Sequence, residues 1–132
     1  MKTGFTCSCV DLLHAGHVAM LREAKSVCDY LIVGLQTDPS LDGRKGRPVQ
    51  SIYERYVQLE GCKYVDKIIP YDTEKDLYCL LVTLPIDIRI IGADYQFDDF
   101  TGKGIHEVHY NRRAHHWSTT ELKDRIIEGS SS

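Results

Sequence analysis

The 132-residue sequence has no basic excess: 16 Lys and Arg stand against 19 Asp and Glu, for a formal net charge of -3. A chain so balanced lacks the cationic surface that tracks a nucleic-acid backbone, which argues against nucleic acid as a partner. Long apolar runs are missing too. Met1-Lys2-Thr3-Gly4 passes straight into strand-like sequence, so neither a signal peptide nor a membrane span is expected, no membrane partner is expected, and the cytoplasm is the default compartment. A disulfide framework is improbable on the cysteine count. Cys7, Cys9, Cys28, Cys62 and Cys79 are odd in number and lie mostly in apolar stretches, as small core residues do in a reducing compartment. Cys7-Ser-Cys9 lacks the two-residue gap of zinc knuckles and thioredoxin-like motifs. Nor does the length leave room for a second catalytic module, and no internal repeat is visible. What is present is 42% apolar and 27% charged residues, the composition of an ordinary globular domain with a packed core.

Strand-like and helix-like segments alternate along the chain. Phe5 to Val10 reads as a short buried strand, and Gly16 to Val27 carries apolar residues at helical spacing. Asp29 to Leu35 is a second buried strand. A basic loop follows, with Pro39, Gly43, Gly46 and Pro48 around Arg44, Lys45 and Arg47. Ser51 and Glu54 stand at capping-box spacing and open a helix to Gly61. Lys67 to Ile69 is a short strand, Glu74 to Thr83 a helix, Pro85 to Gly92 a buried strand and Glu107 to Tyr110 a weaker one. Ser118 opens a final helix through Ile127, with Glu121 three residues after the cap. Gly129-Ser-Ser-Ser132 reads as a disordered tail or a cloning remnant, which leaves residues 1–128 as the domain. Such alternation implies an α/β fold with a parallel sheet, right-handed crossovers and helices on both faces. Ligands bind such sheets at the carboxyl ends of the strands. Three marked segments fall there: Asp11 to His17, Gly92 to Tyr95, and Arg113 to Thr120.

The first of these, His14-Ala-Gly-His17, is the most informative. Two histidines three apart at a helix start place two imidazoles on one side, beside backbone N–H groups without an intrahelical partner, where anions are favoured. Gly16 has no side chain to keep a phosphate from the backbone. His14 and His17 then read as electrophilic donors to phosphate oxygens rather than as proton abstractors. The alternative is that each histidine merely caps the helix or packs.

Through Asp11-Leu-Leu-His-Ala-Gly-His17 the sequence resembles the small cytidylyltransferases typified by glycerol-3-phosphate cytidylyltransferase, within the nucleotidylyltransferases that carry a His-x-Gly-His motif. The resemblance runs from Phe5 to Ile127. Cys28-Asp-Tyr-Leu-Ile-Val33 echoes the family's Gly-Asp-Tyr-Leu-Val-Val, and Thr37-Asp38 its Thr-Asp pair. Tyr53-Glu-Arg55 and Tyr64-Val-Asp66 match a helix and the strand after it. Ile91-Gly-Ala-Asp-Tyr95 resembles the Gly-x-Asp segment, and Arg113-Ala-His-His-Trp-Ser-Thr-Thr120 the family's Arg-Thr-x-Gly-Ile-Ser-Thr-Thr.

The resemblance implies a Rossmann-like, doubly wound, five-stranded parallel sheet and transfer of CMP from CTP to a small polyol phosphate such as glycerol 3-phosphate. His14, His17, Lys45 and Arg113 would be catalytic, with Lys45 and Arg44 closing over the phosphates. Cys9, Val10, Asp11, Gly16, Gly92, Asp94, Ser118 and Thr119 would bind nucleotide or phosphate, and Asp38 and Arg55 the acceptor. Asp11 would support the histidines or place Mg²⁺, the expected divalent cofactor; a carboxylate favoured by the helix dipole is the alternative. Ser118 is equally a plain helix N-cap. A homodimer is implied by analogy. The attacking phosphate is already anionic, so no general base is needed and alignment with charge compensation should dominate.

The sequence departs from the family pattern at both ends. Ser8-Cys9-Val10-Asp11 replaces Gly-x-Phe-Asp, and His116 and Trp117 replace glycine and isoleucine before Ser118. Base and acceptor specificity are what these changes touch. They leave open an ATP- or CTP-dependent enzyme of a sugar, flavin or pantetheine phosphate, or a domain that binds nucleotide without transfer.

Overall fold

The computed structural model describes residues 1–43, 46–112 and 117–130. Five strands form one sheet: β1 (Thr3–Ser8), β2 (Tyr30–Gln36), β3 (Lys67–Tyr71), β4 (Ile88–Gly92) and β5 (Glu107–Asn111). Four helices accompany them: α1 (Ala15–Ser26), α2 (Ile52–Glu60), α3 (Glu74–Thr83) and α4 (Thr119–Ser130). The strand order is β3-β2-β1-β4-β5, every neighbouring pair is parallel, and the fold is Rossmann-like α/β. The chain winds outward from β1 to β3, then returns to the other side of β1. That reversal opens a crevice at the carboxyl ends of β1 and β4, the switch point where ligands bind in such sheets.

Two apolar clusters sandwich the sheet. On one face Leu21 and Ala24 of α1 and Leu59 of α2 pack on Leu31, Val33, Leu35, Ile88 and Ile90. On the other, Leu77 and Leu81 of α3 pack on Phe5, Ile32 and Tyr71. Burial on both faces explains why β2 reads as a continuous apolar run rather than as alternation.

Where boundaries differ from the sequence reading, local chemistry accounts for it. The first strand stops at Ser8 instead of Val10, because Val10 adopts φ 50° and Leu12 φ 54°, left-handed conformations that no strand continues through. β3 runs two residues beyond Ile69 and includes Pro70, which is tolerated because β3 is an edge strand. β4 begins only at Ile88, after Asp87 has exchanged hydrogen bonds with Thr3. The last helix extends through Gly129 to Ser130, so the expected tail boundary falls inside α4, with residues 131–132 outside the described set. All five cysteines are free. Among the described residues no helix is long and apolar enough to cross a membrane.

Candidate active site at the first strand–helix junction

Beyond β1 the chain turns back on itself through Val10 and Leu12. A β-branched residue in the left-handed region costs on the order of 1–3 kcal/mol. Val10 is nonetheless 1% exposed within the α1-side core, so burial holds the strained turn in place. The Ser8 hydroxyl accepts from the Val10 N–H at 3.1 Å. Asp11 then locks the loop from the side. Its carboxylate accepts the Val49 and Gln50 N–H groups at 2.9 and 3.0 Å, and the Gln50 side-chain oxygen accepts the Leu12 N–H at 2.9 Å.

Arg55 completes this scaffold and corrects an expectation. Only 2% of it is exposed. Its guanidinium donates to the carbonyls of Cys9 (2.9 Å), Gln36 (2.6 Å), Gln50 (3.2 Å) and Thr37. The ends of β1 and β2 and the entry to α2 are thereby tied to one side chain. Arg55 is not presented to an acceptor's phosphate; it holds the backbone that shapes the site. Asp11 likewise does not fit as a magnesium ligand. It is 7% exposed, both oxygens accept backbone N–H groups, and the Lys123 ammonium lies 3.9 Å from Oδ2. Among the described residues no group of three or more His, Cys, Asp or Glu is arranged to hold a metal.

The two motif histidines do cap α1, in a capping box built from imidazoles. His14 is the N-cap, and its Nδ1 accepts the Gly16 N–H at 3.0 Å; the His14 N–H donates to His17 Nδ1 at 3.2 Å. The rings stack with centroids 3.9 Å apart. This cap decides the chemistry. A ring nitrogen that accepts carries no proton, so each neutral imidazole holds its proton on Nε2. His14 Nε2 donates to Thr119 Oγ1 at 3.2 Å, and that hydroxyl donates to the Asp11 carbonyl at 3.2 Å. Burial, reinforced by the His14 ring beside it and opposed by Asp11, holds the His17 pKa down to about 4. His17 is therefore a neutral N–H donor at pH 7.

Gly16 also answers a packing constraint that the motif did not suggest. Its N–H is taken by His14, and a Cβ there would come within 2.8 Å of His14 Cε1 and 3.0 Å of the Trp117 carbonyl. Close packing of the junction against the entry to α4 requires the glycine. Ser118 caps α4 by accepting the Glu121 N–H at 3.0 Å. A groove of ≈ 310 Å³ opens here, lined by His14, Trp117, Ser118, Glu121 and Arg125 among others.

The structure thus brings Cys9, Val10, Asp11, His14, Gly16, His17, Ser118 and Thr119 together. Gly92 and Asp94 stand apart at the end of β4, beside β1 in the sheet; Asp94 is exposed, and nothing crowds a Cβ at Gly92 closer than 3.9 Å. Asp38 caps the short 3-10 turn Pro39–Asp42, and bonds from the Ser40 hydroxyl and amide keep its carboxyl below the usual range. Arg44, Lys45 and Arg113 lie outside the described residues, as do His115 and His116. Lys123, Arg125 and Gln50 belong to this neighbourhood and escaped the sequence reading. For the first two the signal was helical spacing from Thr119 and Ser118. Gln50 had none, since its role depends on a loop folding back over Leu12.

The cytidylyltransferase-like family profile matches residues 5–127. Among curated relatives, the bifunctional protein HldE of Caulobacter vibrioides is 41% identical over 107 residues, and that of Paramagnetospirillum magneticum 43% over 106. These matches cover 80% and 79% of this chain but 22% of each relative, so the chain spans about a fifth of their length. Among solved structures, a lipopolysaccharide core biosynthesis protein from Thermoplasma volcanium shares the fold with a TM-score of 0.64 at 22% identity, covering 98% of this chain and 89% of that one.

Proposed function

The chain belongs to the cytidylyltransferase-like family and is a nucleotidylyltransferase; from that premise we propose that it transfers a nucleotidyl group from CTP or ATP to a small phosphate monoester and releases pyrophosphate. An acceptor phosphate oxygen attacks the α-phosphorus, the bond to the bridging oxygen of the β-phosphate breaks, and pyrophosphate leaves with that electron pair. The observation that carries this reading is the pair of capped imidazoles, whose Nδ1 atoms are both occupied by backbone N–H groups. Their Nε2–H groups need no proton from solvent as charge develops on the transferring phosphoryl group, and that of His14, which rests on Thr119 Oγ1, turns to phosphate when nucleotide binds. No side chain is required as a base, because the attacking oxygen is already anionic.

In this reading His14, His17 and Thr119 bind the reacting phosphates, together with the N-terminus of α4 capped by Ser118. Lys45, Arg44 and Arg113 neutralise the triphosphate, and Gly92 and Asp94 border the nucleotide or acceptor. Mg²⁺, the expected divalent cofactor, would offset triphosphate charge, and no described side chain is assigned to it. CTP remains the first donor to try because of the resemblance to cytidylyltransferases. For the acceptor, with curated relatives that are bifunctional HldE proteins, another phosphate monoester, of a sugar, flavin or pantetheine, fits better than glycerol 3-phosphate. A cytoplasmic homodimer is the proposed setting.

The test is pyrophosphate release from CTP and from ATP, each with Mg²⁺, against a panel of glycerol 3-phosphate, sugar 1-phosphates, FMN and phosphopantetheine. Acceptor-dependent release with one of the two nucleotides is expected. Nucleotide binding without release from any combination would overturn transfer and leave a binding domain.

A further inference from the structure

β4 carries a charge where its neighbours are apolar. Arg89 lies between Ile88 and Ile90, is 3% exposed, and faces the α3 side of the sheet with Phe5, its partner in the β1 register. Burying a guanidinium is costly, and an apolar residue of similar volume is often neutral or stabilising at such a site. The strand itself has no need of Arg89. One of its two hydrogen bonds goes to the Cys7 thiol of β1, and the other to the segment from residue 96 to 106, which runs from the turn Ala93–Tyr95 to β5. Nη1 donates to the Thr101 carbonyl, and the guanidinium carbon sits 5.0 Å from the centroid of the Phe100 ring. Nη2 lies 3.9 Å from the Cys7 thiol, and Nε has no partner among the described residues.

The same short stretch is fastened twice more. The Thr101 hydroxyl donates to Glu74 at the start of α3 at 2.6 Å. Gly102, at φ 82°, presses so closely that a Cβ would meet Leu81 at 2.5 Å and Arg89 Nη1 at 3.0 Å. The residues before the anchor are a different matter. Residues 93–99 are exposed, Phe97 at 91%. Arg89 is thus the buried cation among the contacts that pin the strap at Thr101 and Gly102.

We propose that Arg89 is a positioning residue that latches the 96–106 strap and thereby shapes the acceptor side of the active site. The strap leaves the crevice at Gly92–Tyr95, on the strand that pairs with β1, and its anchors belong to α3. The imidazole donors and the head of α4 lie with α1, on the opposite face, where the triphosphate binds. What the first residues of the strap border, next to Gly92–Tyr95, is the remainder of the crevice, the space left for the acceptor. This inference rests on the transferase reading above.

Two variants test it. Arg89→Met removes the latch and keeps the bulk; Thr101→Val removes only the tie to Glu74. Backbone hydrogen exchange across 96–106 is compared with that across β1 and β2, and KM is measured for the nucleotide and for the panel phosphate that the wild type uses. In Arg89→Met, exchange of the strap accelerates about tenfold or more with the core unchanged. The acceptor KM rises roughly fivefold or more while the nucleotide KM stays within about twofold. Thr101→Val moves both in the same direction by less. Unchanged strap exchange, or both KM values rising together, would overturn the latch. So would an Arg89→Met that fails to fold alongside a Thr101→Val with wild-type exchange, because Arg89 would then be merely structural. A wild type without turnover would sink the transferase reading and with it the acceptor assignment; exchange, which needs no substrate, still decides the latch.

Discussion

The junction at the head of α1 and the strap after β4 adjoin the same crevice, yet they are built in opposite ways. At the junction, backbone and side chains fix one another. Asp11 is spent on two amides, Arg55 on four carbonyls, and each histidine on a cap. The strap is exposed over residues 93–99 and pinned at Thr101 and Gly102. The contrast teaches a division of labour. Phosphate chemistry needs donors that do not reorganise as charge develops, whereas the proposed recognition of the acceptor is left to a loop, the kind of segment that is free to vary on a fixed sheet.

Removing Arg55 should break the rigid half of this contrast most severely. Arg55→Ala leaves carbonyls at the ends of β1 and β2 without their donor, and a loss of about 3–5 kcal/mol is expected by urea unfolding. A stable variant defective only in acceptor KM would instead restore Arg55 as a binding residue. His17→Ala should lower kcat by roughly 10²–10³ and cost about 1 kcal/mol of stability through the lost cap. A variant with wild-type turnover would remove the junction from catalysis.

The rigid half should also carry a pH signature. The His17 pKa is lowered in the folded state to about 4 from an ordinary 6.5, so between those values the unfolded chain binds the extra proton. Its contribution is whole above pH 6.5 and fades as pH falls toward 4, by roughly 3 kcal/mol over the full window. Comparing urea midpoints at pH 7 and pH 5 for wild type and His17→Ala checks this; the fall attributable to His17 should be absent from the variant. The smallest effect belongs to the open half. Asp94→Ala, at an exposed turn residue, should change stability by less than about 0.5 kcal/mol and show itself only as a higher KM. A large loss of stability there would mean that the lip is no looser than the junction.

How much of this was legible in the sequence follows from where the information lies. Alternating apolar runs and helical spacings revealed the parallel α/β sheet. Ser51 and Glu54 form the capping box their spacing suggested, while the equivalent box of Thr73 and Asp76 went unread. The position of the His14–His17 pair at a helix start was readable as well. The tautomer it imposes was not, because that depends on which backbone N–H each Nδ1 accepts. The resemblance assigned Arg55 to the acceptor, although its spacing from Ile52 and Leu59 placed it on the buried face of α2. Val10 in a left-handed turn runs against the preference of a β-branched residue and is held only by tertiary burial. Partners such as Val49 and Gln50 for Asp11 come from 38 and 39 residues away, a distance over which local pattern says nothing.

The central claim is that the cap makes His14 and His17 fixed Nε2–H donors. Long-range proton–nitrogen correlation spectra of ¹⁵N-histidine-labelled protein test it most directly. The account predicts that both residues at pH 7 are neutral with the proton on Nε2, and that His17 protonates only near pH 4. A proton on Nδ1 of either ring, or a His17 midpoint near the ordinary 6.5, would contradict it.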